Sequence, residues 1–223
     1  MLVLNTIMTL ITNIKKTGDY SWTIETGSII IAKLIRHIVK NAYIESTKVH
    51  ITAESIMSLK DHLSIKPTNK LGYIETIRLM KQISTQLTLI YNTGNACYGI
   101  DLSDILVINN KDFLFCGSKH MLPLDQTKTF ITFVAPFDNP DFSNPDILEI
   151  KKLPSQVHFK CIYYSIAALG LWCFTGNYLL VGNEIPDENR VEQILNPIKA
   201  TKLYGFFKRA LTSRVEERLL LLV

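Results

Sequence analysis

The stretch Tyr164-Ser165-Ile166-Ala167-Ala168-Leu169-Gly170-Leu171-Trp172-Cys173-Phe174-Thr175-Gly176 decides the fold. Wound as a helix it is apolar all round, and such a helix is enclosed by protein or by lipid. No charged residue occurs from Cys161 to Asn183, so a membrane span has to be weighed. The apolar run lasts only about 14 residues before Thr175-Gly176-Asn177 interrupts it, against the roughly 20 that a span requires. The expectation is therefore a buried core helix and no membrane partner.

Outward from that helix, the chain is long enough to surround it. It has 223 residues, 47% of them hydrophobic and 20% charged, which is the balance of a globular protein. The net charge of +4 resides in residues 1–70, with nine Lys/Arg against five Asp/Glu, while 71–223 hold fifteen of each. Its longest run is Lys15-Lys16, which describes a solvated face and no nucleic-acid partner. Cys97, Cys116, Cys161 and Cys173 form no CxxC pair, so reduced thiols in a reducing compartment are expected. The five histidines show no HxxxH or HExxH spacing. The N-terminal MLVLNTIMTLITNIKK lacks the basic start and the cleavage site of a signal peptide. A strand or amphipathic helix packed on the body is expected there.

Helical spacing of Ile31, Leu34, Ile35, Ile38, Val39 and Ala42 predicts a helix near 28–43. Thr52 has the chemistry of an N-cap for a second helix, running to about Leu63. Lys66-Pro67-Thr68-Asn69-Lys70 reads as a loop and divides the chain into residues 1–70 and 71–223. From Tyr73 to Tyr91, Ile74, Ile77, Met80, Ile83, Leu87 and Ile90 form one stripe of a long helix that Gly94 closes. Ile105–Ile108 and Phe113–Cys116 read as strands about the hairpin turn Asn109-Asn110-Lys111-Asp112, and Phe130–Val134 as a third strand. Prolines 136, 140, 145 and 154 mark an extended loop. After the buried helix come a polar loop and a helix over about 198–211, where Gly205 suggests close packing. The fold class expected is α+β, mainly α with short β hairpins, with a reduced and mostly helical N-terminal region.

The order of these features resembles the large lobe of protein kinases over roughly residues 72–223. The buried segment is similar to the kinase W-S-L-G-x-x-x-Y-x-x-x-T-G helix. Gly99-Ile100-Asp101-Leu102-Ser103-Asp104-Ile105-Leu106-Val107 resembles the H-R-D-L-x-x-x-N-I-L-V catalytic loop, two residues shorter. Phe142-Ser143-Asn144-Pro145-Asp146 resembles the F-x-x-P-E closing the activation segment, and Phe206–Leu211 with Glu216-Glu217-Arg218 resembles the final L-x-x-x-L…P-x-x-R. The phrasing from Leu153 to Ser165 and at Thr201–Tyr204 is similar to short serine/threonine-kinase-like proteins of giant DNA viruses of protists. The resemblance implies that Asp101 stands at the catalytic base, Asp104 at a metal ligand, and that Asp146 pairs with Arg218 for structural reasons.

Departures from the pattern set the functional expectation. Phosphoryl transfer needs a lysine on the phosphates, metal held by the DFG aspartate and the loop asparagine, and a base. The D-F-G position aligns with Cys116-Gly117-Ser118, and a thiol is a poor ligand for Mg²⁺. No GxGxxG occurs. Ile30-Ile31-Ala32-Lys33 resembles V-A-I-K, with Glu45 or Glu54 as a partner, but Lys33 falls in a helical pattern, which makes it a solvated helix residue. Between Leu63 and the next helix there is no room for the two strands and hinge that hold adenine. Asp101 is expected to bond loop amides, and His120 and His158 to have no partners. The expected protein is a pseudokinase without cofactor that binds a host or viral protein in the host cytoplasm or in the virion. The alternatives are an ATP- and Mg²⁺-dependent serine/threonine kinase using Asp101, Asp104 and Lys33, and a structural virion component.

Overall fold

A computed structural model describes residues 13–180 and 184–222. The reading of the first residues as a strand or helix lies outside these, save that Asn13–Lys16 is a strand, β1. It is followed by β2 (Ser21–Glu25), helix α1 (Ile29–Ile38), β3 (Tyr43–Glu45), β4 (Lys48–Thr52), β5 (Ile56–Ser58) and α2 (Leu59–Ser64). The long helix α3 (Tyr73–Asn92) leads into β6 (Asn95–Cys97), β7 (Ile105–Ile108), β8 (Asp112–Phe115), β9 (Met121–Pro123) and β10 (Phe130–Phe133). The chain ends with α4 (Pro145–Leu148), β11 (Ser155–His158), α5 (Cys161–Thr175), α6 (Glu188–Leu195) and α7 (Lys202–Ala210). The fold is mixed α+β. Its small antiparallel sheets have the orders β1-β2-β4-β3, β5-β7-β8, β6-β9 and β10-β11.

The described part of the N-terminal region combines five strands with two helices, which corrects the mostly helical expectation. Thr52 ends β4 and caps no helix; the cap is Ser58, whose hydroxyl accepts from the Asp61 N–H at 3.0 Å. Alternation decides this stretch. Val49 and Ile51 are buried, while Lys48 and Thr52 are exposed, the period of two that a half-buried strand requires. β3 and β4 precede α2 and are joined to β5 by Ala53–Ser55, while between α2 and α3 the described residues hold no strand. α1 ends at Ile38, short of the expected 43. One apolar cluster runs from Ile24 to Leu211, so the Lys66–Lys70 loop does not separate two cores.

α5 is buried along almost its whole length and packs against α3 and α7, as its composition requires. Gly170 is the point of closest approach: a Cβ there would lie 2.5 Å from the Met80 sulfur and 3.1 Å from the Phe207 ring. Gly205 on α7 has no such neighbour, only the flexible end of Arg209 at 3.4 Å, so the tight glycine is 170. Gly176, at φ +79°, supplies the left-handed residue that ends α5.

The inward face of α3 differs from the expected stripe. Ile74 is exposed, and Gln86 is buried beside Leu79, Met80, Ile83, Leu87 and Ile90. The Gln86 side chain accepts from the Phe115 N–H at 2.7 Å and donates to the Phe113 carbonyl at 2.9 Å. Gln82, one turn earlier, accepts from the Phe113 N–H at 2.8 Å and donates to Asp112 at 3.0 Å. β8 is the edge of its sheet, and these two amides satisfy backbone groups that a neighbouring strand would otherwise bond. The β7–β8 turn has three residues, Asn109, Asn110 and Lys111. Asn109 and Asn110 take φ of 50° and 58°, a conformation that asparagine tolerates. The polar loop after α5 contains an unforeseen helix, α6.

Candidate functional site

The β6–β9 pairing builds the site. Cys97 stands opposite Met121, and the Tyr98 N–H donates to the His120 carbonyl at 2.9 Å, so the loop after β6 lies beside residues 117–120. Asp101 begins a single 3₁₀ turn, Leu102–Asp104. The Asp104 carboxylate accepts from the Asp101 N–H at 2.8 Å, and its carbonyl accepts from the Cys116 N–H at 2.7 Å. Gly117 permits this contact, since a Cβ there would fall 2.1 Å from Asp104 Oδ1. Gly99 does the same for Pro140, at 2.0 Å.

Asp101 has both oxygens engaged. Oδ2 lies 2.9 Å from His120 Nε2, and Oδ1 accepts from the Asp141 N–H at 2.7 Å. Lys119 Nζ stands 4.0 Å away, and the side chain is 17% exposed. Burial raises its carboxyl, but the bonds from His120 and Asp141 and the Lys119 charge outweigh burial and hold it below the usual range. Asp104 goes the other way: burial, with the Asp101 and Asp141 charges nearby, pushes it up to about 6. His120 corrects the expectation that it has no partner. Its ring is buried, edge-on to Tyr98 at 5.1 Å. His158 also has a partner, accepting from the Lys160 N–H at 3.1 Å.

Asp101, Asp104 and His120 bring donor atoms within 4.8 Å of one another, a grouping found nowhere else among the described residues. Two carboxylates and an imidazole would suit Zn²⁺ or Mn²⁺ better than Mg²⁺. The set fits a cation poorly, however, because both Asp101 oxygens and one Asp104 oxygen already accept hydrogen bonds. Cys116 stays outside the grouping, and burial holds its thiol well above the ordinary value.

The remaining sequence-derived residues are placed as follows. Asp146, in the first turn of α4, pairs with Arg218, whose guanidinium is fully buried, lies 5.4 Å from the Tyr164 ring and donates from Nε to the Thr212 carbonyl at 2.9 Å. Asn144 caps α4 and joins it to the core, donating to the Tyr98 carbonyl at 2.8 Å and the Ser165 hydroxyl at 3.0 Å. Lys33 is exposed on α1, Glu54 is exposed, and Glu45 meets His50 at 3.4 Å, so these three do not form an ion pair. Sequence reasoning missed Asn109. Its side chain accepts from the Glu54 and Ser55 N–H groups at 2.8 and 3.2 Å, and its own N–H donates to the Ser55 carbonyl at 2.9 Å. Trp22 completes that segment, its indole N–H donating to the Ala53 carbonyl at 3.0 Å. No local signal marks either residue, since their partners lie 54 and 31 positions away. No protein-family model matches the chain, and no curated protein is significantly similar to it.

Proposed function

We propose that the chain is a protein-kinase-like protein that has lost phosphoryl transfer and acts as a protein-binding module, a pseudokinase. One observation carries the reading. The backbone of Ala53–Ser55, between β4 and β5, is already used, and on the kinase-like reading this is the segment that would hold adenine. All three of its N–H groups and the carbonyls of Ala53 and Ser55 bond to Tyr20, Trp22 and Asn109. A purine arriving there would exchange its own hydrogen bonds for ones the backbone already has, so it would gain little net free energy from them.

Three further features support it. α1 carries no carboxylate and β2 no lysine, so the ion pair that positions ATP phosphates has neither member. Cys116 replaces a metal ligand, and Asp101 is held by His120 and Asp141. The kinase resemblance itself is supported by the long α3, the loop at Asp101, the buried α5 and the Asp146–Arg218 pair, which follow one another in kinase order. The partner is a host or viral protein met in a reducing compartment, consistent with four free, buried cysteines. Incubation with labelled ATP, Mg²⁺ and generic serine/threonine substrates tests the reading. No transfer is expected above that of an Asp101→Asn variant; transfer that this variant abolishes would overturn it.

A further inference from the structure

α1 and α3 leave between them an open groove of about 450 Å³ whose surface is mostly apolar. Ile38 forms one wall; Ile74 and Ile77 form the other. Ile74 is 64% exposed and Ile38 37%, a poor use of isoleucine unless something covers it. On α3 the lining positions 74, 77, 78, 81 and 85 recur at helical spacing, and at 1.5 Å per residue they make a stripe about 17 Å long. A helix of about 12 residues matches that length.

The polar groups of the groove select the occupant. Gln82 and Gln86 are committed to β8, and the Thr85 hydroxyl donates to the Lys81 carbonyl at 2.9 Å. What remains is cationic: Lys81 is exposed, and Arg78 is exposed with one long contact, 3.5 Å, to the Lys111 carbonyl. No carboxylate lines the groove. An occupant must therefore offer an apolar stripe flanked by acid. A second copy of this chain would set Arg78 and Lys81 against their own equivalents across a two-fold axis, a repulsive arrangement. The chain's own first twelve residues carry no acid at all.

We propose that this groove docks an acidic amphipathic helix of a partner protein. The proposal supplies a partner for the binding-module reading and rests on it for its purpose. The two fail separately, because ATP binding would contradict that reading and leave the affinity of the groove unchanged.

The test uses the full chain and two labelled synthetic peptides of about 16 residues. Both carry leucine at i, i+4 and i+7; one has glutamate at the flanking positions, and its twin has lysine. Fluorescence anisotropy should show the acidic peptide binding at least about tenfold more tightly than its twin. Lys81→Glu leaves Arg78 beside a new carboxylate and should abolish that preference, and Ile74→Ser should weaken the acidic peptide by about tenfold. Both substitutions are at exposed positions, and unchanged denaturation midpoints confirm that the variants fold. Equal affinity for the two peptides, no binding of the acidic one, or an effect of Lys81→Glu within about twofold would overturn the proposal. So would sedimentation of the wild type as a dimer that Ile74→Ser dissociates, since a second copy would then fill the groove.

Discussion

Arg218 shows what one residue can hold together. It is fully buried, yet its charge is met by Asp146, and its donors reach the carbonyls of Thr212 and Ser213. Arg218→Ala should destabilise the fold by about 3 kcal/mol, the lower end for breaking a buried pair, because Asp146 keeps some contact with water at 18% exposure. Lys33→Ala, on an exposed face of α1, should stay within about 0.5 kcal/mol. Denaturant midpoints compare the two, and equal midpoints would contradict the role given to Arg218. Asp104 yields a prediction in pH. Its folded pKa, about 6, lies above the ordinary 3.8. The stability linked to its protonated form is therefore full below the unfolded pKa and is lost as pH rises through about 6. Asp104→Asn retains an oxygen for the Asp101 N–H and cannot ionise. Relative to wild type it should gain up to about 3 kcal/mol between acid and neutral pH. Parallel stability–pH curves for the two proteins would contradict this. The Asp146–Arg218 pair was legible because both residues lie in stretches that resemble kinase motifs. His120 was not, because only the β6–β9 pairing brings it to Asp101.

Among elements, α3, α5 and the β7–β8 hairpin were legible for a common reason. Each has a local period, 3.6 or 2, long enough to name its type without knowing its neighbours. β3, β4 and β5 have three to five residues each; β4 alternates over only five residues and β5 over three, too short to name a strand before their pairing with β2 and β7 is known. The inward turn of Gln82 and Gln86 was hidden similarly, since a glutamine belongs inside only when an unpaired strand edge is present to receive it. The contact of α5 with α3 gives the test at this scale. Gly170→Ala should cost about 1–3 kcal/mol by overpacking against Met80 and Phe207. Combined with Met80→Ala, which empties the space the new methyl needs, it should cost less than the sum of the two single changes. Strict additivity would mean that Gly170 and Met80 do not meet.

At the scale of the molecule, a single apolar cluster ties the N-terminal sheet to the helices, and no helix among the described residues is long and apolar enough to cross a membrane. On the proposed pseudokinase reading, the backbone of Ala53–Ser55, whose hydrogen bonds are already made within the chain, receives no nucleotide. Thermal unfolding with increasing ATP and Mg²⁺ tests this directly. A ligand at about 100 times its dissociation constant stabilises its protein by about 2.7 kcal/mol, a shift that such a measurement resolves. The account predicts an unfolding temperature that does not change with nucleotide. A saturable, Mg²⁺-dependent rise would contradict it.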